Sequence, residues 1–121
     1  MTQEPGRTES GRYTVRAQNA WRPPTDVYET DGALVVKVEI PGVAEQDFQI
    51  TIAGRRLVIA GARNDPASKL GYHNMEIRYG AFRTEIRMPW LADEDAIEAS
   101  YEDGFLYVRL PRAQRRQVQV T

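Results

Sequence analysis

Histidine chemistry in this chain would have to be built around one residue, because His73 is its only imidazole. Ser68 lies near it in sequence, but the Gly-x-Ser-x-Gly elbow that presents a nucleophilic serine is missing, so His73 reads as a loop or interface residue. Asp93-Glu94-Asp95 gathers three carboxylates, yet the glycine and distal glutamate of a calcium loop are absent, and the triplet reads as a solvated turn. No Gly-x-x-x-x-Gly-Lys-Ser/Thr is present to cradle nucleotide phosphates. No spacing selects a pair of carboxylates for glycoside chemistry. With zero cysteines, thiol catalysis, disulfides and thiolate metal sites are excluded. The residue types point away from an enzyme, a metal and a cofactor.

Charge narrows the partners. Sixteen basic and 17 acidic residues leave a formal net charge of −1, which creates no one-sign field to attract nucleic acid or an anionic membrane. Arg55-Arg56 and Arg112, Arg115 and Arg116 are basic clusters, and six tyrosines are present. The aromatics do not interleave with basic residues along one strand, as a base-stacking platform requires. No apolar run approaches the roughly 20 residues of a membrane helix, and the N-terminus has no basic-then-apolar leader pattern. The expectation is a soluble cytoplasmic protein without nucleic-acid or membrane partners, and the missing cysteines fit a reducing compartment.

A chain of 121 residues suits one domain, burying roughly two thirds of its unfolded surface. Residues 1–20 are polar, with Tyr13 and Val15 as the only sizeable apolar side chains after Met1; they read as a flexible arm that cannot offset its ordering entropy. Order is expected from Trp21, where Pro23 and Pro24 impose an extended entry. From there the chain alternates. Leu34, Val36, Val38 and Ile40 face one way, against Lys37 and Glu39. Phe48, Ile50 and Ile52 form a second run, and Leu57 to about Ala62 a third. Phe82, Ile86 and Met88 form a fourth, Ile97, Ala99 and Tyr101 a fifth, and Leu106, Val108 and Leu110 a sixth, the last two joined by an Asp103-Gly104 hairpin. No helix-length segment has a 3.6-residue period, though residues 44–47 and 92–96 suit single helical turns. Short strands without crossover helices predict an all-β, antiparallel, immunoglobulin-like sandwich. The stretch 64–74, with Asp65-Pro66 and Gly71, is a long irregular loop, a feature usually kept for a function.

Four segments, in this order, resemble the alpha-crystallin domain of small heat-shock proteins of the bacterial and plant type. They are Leu34-Val35-Val36-Lys37-Val38-Glu39-Ile40-Pro41-Gly42-Val43 after Pro24 to Tyr28; Glu76-Ile77-Arg78-Tyr79-Gly80-Ala81-Phe82 leading to Ile86-Arg87-Met88-Pro89; Ala99 to Leu106 with Val108-Arg109-Leu110-Pro111; and Val118-Gln119-Val120. The resemblance covers about residues 21 to 120 and implies an alpha-crystallin domain over 21–112, with 113–121 a tail ending in a Val-x-Val anchor.

That resemblance implies an ATP-independent holdase that binds partly unfolded clients and associates with itself as a dimer or a labile larger oligomer. Carried over by position, Val118 and Val120 would enter another subunit's groove formed by Ile50, Ile52, Ile97 and Ala99, positions that also suit ordinary core. An added strand within 64–74 would pair with a partner's first strand. This dimer contact would use Thr25, Val27, Tyr28, Tyr72, His73, Glu76 and Arg78. Three departures stand out. Thr84 replaces the family's arginine. The tail carries valines rather than isoleucines, and two missing methylenes cost roughly 1.6 kcal/mol, about fifteenfold per contact. The arm lacks a Phe- and Leu-rich composition. A CS-domain co-chaperone, an adaptor that binds one folded partner through the same sandwich, is the alternative reading.

Overall fold

The computed structural model describes residues 19–114 and 118–121; the expected arm 1–18 and the segment 115–117 of the tail lie outside them. Seven strands form in sequence: β1 (Thr25–Thr30), β2 (Ala33–Glu39), β3 (Gln49–Ala53), β4 (Arg56–Arg63), β5 (Gly80–Arg87), β6 (Glu98–Glu102) and β7 (Phe105–Pro111). They make two sheets, β1-β2-β7-β6 and β3-β4-β5, and every pairing is antiparallel. The expected antiparallel sandwich is the observed one. The two short helical segments, Glu45–Asp47 and Glu94–Ala96, are single 3-10 turns.

Between the sheets sit Leu34, Val36, Val38 and Ile40 from the second strand region, Leu57 and Ile59 from β4, Phe82, Ile86 and Met88 from β5, and Leu106, Val108 and Leu110 from β7. Alternation thus places every second residue of these strands in one apolar seam. Phe82 anchors it. The ring is fully buried and lies 6.0 Å from both Trp21 and Phe48 in edge-to-face contact. Trp21 also adds a parallel bridge beside Phe82: its amide donates to the Ala81 carbonyl at 3.1 Å and its carbonyl accepts from the Arg83 amide at 2.9 Å. This extended entry covers the outer edge of β5.

Two glycines are fixed by geometry. A Cβ at Gly61 would lie 2.7 Å from the Phe82 ring and 2.8 Å from the Asp47 carbonyl oxygen. In the β6–β7 hairpin, Asp103 and Gly104 both take positive φ, 52° and 83°, as a two-residue primed turn demands. The Gly104 carbonyl then accepts from the Ile40 amide at 2.8 Å.

Three details differ from the sequence reading. The loop between β4 and β5 is longer than 64–74, running from 64 to 79, and contains no strand. Ile97 precedes β6 rather than opening it, because it terminates the 3-10 turn. Val35, whose parity points it outward, is buried, flanked in register by Tyr28 and Arg109.

Candidate functional site

A sandwich with open sheets leaves edge strands whose amides and carbonyls lack partners, and such edges recruit other chains. Here β3 ends one sheet, β6 and β1 end the other, and exposed apolar side chains lie on β1 (Val27, Tyr28), on the long loop, at Leu91 and in the tail.

Between the β3 and β6 edges opens a cleft of about 490 Å³, lined by Ile50, Phe48, Ala99, Tyr101 and Leu106 together with the carboxylates Glu45 and Glu102. Its floor is rigid. Phe48 packs edge-to-face on Tyr101 at 5.0 Å, and the Tyr101 hydroxyl donates to the Ile40 carbonyl at 2.8 Å, so that ring is tied at both ends. Of the four positions expected to form a groove, Ile50 and Ala99 meet in this cleft. Ile52 and Ile97 are half-buried against the core beside it and do not line it. Val118 and Val120, two residues apart, are 85% and 94% exposed.

The positions expected at a dimer contact divide. Val27 and Tyr28 on β1 are each 43% exposed. Thr25 on the same strand is turned inward. Its hydroxyl lies 2.9 Å from the Pro23 carbonyl and 3.1 Å from the hydroxyl of Thr84. A single hydroxyl proton cannot serve both, so Thr25 donates to Pro23 and accepts from Thr84. Thr84 is fully buried, and this hydroxyl contact joins it to β1.

On the loop, Tyr72, His73, Glu76 and Arg78 are all exposed, but three of them are engaged locally. The Tyr72 hydroxyl donates to Asp65 at 3.2 Å, Asn74 donates to Glu76 at 2.8 Å, and the Arg78 guanidinium lies 5.8 Å from the centre of the Trp21 ring. Asp65 is the hub of the loop. It pairs with Lys69 and accepts from the Ala67 amide at 3.1 Å. The Lys69 hydrogen bond holds its carboxyl below the ordinary range, helped by the Ala67 amide, and the same pair raises Lys69. At the base of the loop, Arg63 donates to the Arg78 carbonyl at 2.6 and 2.9 Å and to the Pro41 carbonyl at 3.2 Å, with its guanidinium 4.7 Å from the Trp21 ring centre.

Leu70, Met75 and Ile77 are exposed on the same loop. The sequence reading did not include them, although apolar side chains in a polar loop were the available signal. It also missed a surface feature on β7. Phe105, Tyr107 and Arg109 lie along one face of that strand, with Lys37 at 4.4 and 5.6 Å from the two ring centres. The aromatics and cations meet across β2 and β7 rather than alternating along one strand. Lys37 already occupies the ring faces, however, and in register Glu39 and Glu102 flank Phe105 while Glu98 flanks Arg109. A phosphate backbone would meet these three glutamates, of the wrong sign, rather than a basic groove.

Among the described residues no group of three or more His, Asp or Glu converges into a metal site, and no helix is long and apolar enough to cross a membrane.

Residues 26–121 match the family model described as Hsp20/alpha crystallin family. The chain belongs to that family. Small heat shock protein C2 of Rickettsia felis is 33% identical over 105 residues, covering 85% of this chain and 68% of its own. Heat shock protein HSP.16.4 of Streptococcus thermophilus is 33% identical over 100 residues, covering 80% and 70%. Among solved structures, heat shock protein 16.0 of Schizosaccharomyces pombe superposes with a TM-score of 0.68 at 31% identity, covering 83% of this chain and 98% of that one. A small heat-shock protein of Xylella fastidiosa gives 0.69 at 31% identity, covering 84% and 97%. The family is one of small heat-shock chaperones, and the alpha-crystallin sandwich is the fold these chains share.

Proposed function

We propose that this protein is an ATP-independent holdase that binds partly unfolded proteins in the cytoplasm and keeps them from aggregating. The observation that carries this reading is the pairing of a closed, well-packed sandwich with open β1, β3 and β6 edges and exposed apolar side chains at Val27, Tyr28, Leu70, Tyr72, Met75 and Ile77. An unfolding client offers partners for both: free backbone hydrogen-bonding groups for the open edges and apolar side chains for the exposed apolar surface.

Self-association supplies the second half of the reading. The loop 64–79 would donate a strand to the β1 edge of a partner, with Val27, Tyr28, Tyr72 and His73 at the contact and Thr25, Glu76 and Arg78 flanking it. Val118 and Val120 project to the same side of an extended tail and would seat in another subunit's cleft between Ile50 and Ala99, with Ile52 and Ile97 backing it. The Xylella fastidiosa relative forms a distinct high order structure, which favours this chain assembling beyond a dimer as well.

The deciding measurement is light scattering of a heat- or reductant-denatured model client mixed with near-stoichiometric protein and no nucleotide. Suppressed aggregation is the expected result; suppression that needs ATP, or none at any ratio, would reject the holdase reading.

A further inference from the structure

We propose that the end of the sandwich carrying Trp90 and Leu91 is a self-complementary docking surface for a second copy of this chain, in which a two-arginine cleft of each subunit receives the Asp93-Glu94-Asp95 turn of the other. This contact involves neither the loop 64–79 nor the tail valines.

The cleft, of about 880 Å³, lies between Arg55 in the β3–β4 turn, Gly32 in the β1–β2 turn, Trp90-Leu91, and Arg112 beyond β7. Both guanidiniums are positioned. Arg55 donates through Nε to the Met88 carbonyl at 3.2 Å, leaving its terminal nitrogens for another acceptor, and Arg112 sits 5.9 Å from the Trp90 ring centre. Neither arginine forms an ion pair among the described residues, and no carboxylate lines the cleft. The chemistry that such a site recognises is a carboxylate-bearing segment with an apolar residue for the Trp90 and Leu91 surface.

The complementary segment is one step away in the same chain. Ala92 bridges to Arg112, and the Asp93 amide donates to the Pro111 carbonyl at 2.7 Å, so the acidic turn is held at a fixed place beside the cleft. The turn is closed by its own groups: Asp93 accepts from the Asp95 amide at 3.3 Å, and the Ala96 amide donates to the Asp93 carbonyl at 3.0 Å. Glu94 and Asp95 are exposed and form no ion pair among the described residues. Leu91, 56% exposed, lies between the basic and acidic halves. A two-fold axis through Leu91 would set arginines against carboxylates on both sides of an apolar centre, which is the arrangement an isologous contact requires.

The test is multi-angle light scattering of the full chain across concentration. Glu94→Lys/Asp95→Lys and Arg55→Glu/Arg112→Glu should each need at least tenfold more protein to form the species larger than the dimer. An equimolar mixture of the two should regain wild-type mass, because the reversed charges again oppose. Wild-type assembly should weaken with added salt, as exposed charge pairs do. Arg112→Glu alone serves if the double change unsettles the fold, which circular dichroism reports. Wild-type masses for both variants, or a mixture that stays small, overturn the proposal. Tryptophan quenching by a glutamate-rich peptide alongside wild-type masses also overturns it, and would assign the cleft to acidic client segments. Loss of assembly in a Val118→Ala/Val120→Ala protein but in neither charge variant overturns the end contact while leaving the tail anchor intact.

Discussion

The seam between the sheets and the loop 64–79 treat apolar residues in opposite ways. In the seam, Val36, Val38, Leu57, Ile59, Phe82 and Val108 have no exposed surface, and their strands are paired along their length. In the loop, Leu70, Met75 and Ile77 stand in solvent, and the backbone is held by one arginine at its base and one aspartate hub. The contrast separates two uses of the same chemistry. Burial within one subunit stabilises the fold, whereas apolar surface left outside is available to another chain. If that division is correct, changes in the seam move stability and changes outside it move association.

The largest effect should come from the seam. Phe82→Ala removes a ring packed against two others and should cost about 3–5 kcal/mol, a large share of the roughly 5–15 kcal/mol typical of a domain. Urea titration followed by circular dichroism checks it, and a loss below about 1 kcal/mol would mean the cavity collapses and the seam is not centred there.

Next comes the loop. Deleting residues 69–73 should leave the far-ultraviolet spectrum and the thermal midpoint nearly unchanged while sedimentation shows dimer giving way to monomer. An intact dimer would mean that the subunits meet through another edge.

The tail follows. Burying each valine contributes roughly 1.5 kcal/mol before ordering costs, so a single tail contact is weak and several must act together with other contacts. Val118→Ala/Val120→Ala should dissolve species larger than a dimer without moving the melting temperature, and Val118→Ile/Val120→Ile should enrich them. A sharp fall in melting temperature with no change in mass would place the tail in its own subunit's core.

The smallest effect should be seen in acid. Because Asp65 is held below its ordinary range in the folded loop, its contribution is present above the unfolded pKa and lost as pH falls through the folded one. Protection of the amides in 64–79, measured against the intrinsic exchange rate at each pH, should therefore fall on acidification, and Asp65→Asn should show the lower protection already at neutral pH. Loop exchange indifferent to both would remove Asp65 as the hub.

Much of the seam was legible in advance because strand parity is local. A residue two positions along a strand returns to the same face, so Leu34, Val36 and Val38, or Leu106, Val108 and Leu110, reveal their common burial without knowledge of the partner sheet. The Asp103-Gly104 hairpin was readable for a similar reason, since its positive φ values restrict residue type over two positions. The groove was only half legible. Parity grouped Ile50 with Ile52 and Ile97 with Ala99, but which of them line a cleft depends on how two edges from different sheets approach each other, and that brought only Ile50 and Ala99 together.

The strand runs, their inward faces, the turns that separate them and the family resemblance all rest on spacings of a few residues and could be read from the chain alone. Folding was needed to turn Thr25 inward to meet Thr84, to fasten the base of the loop to the Pro41 turn through Arg63, and to bring Arg55 and Arg112 into one cleft beside an acidic turn. These contacts join residues 59, 22 and 57 positions apart. Their meeting is set by sheet order and packing, which no local periodicity encodes.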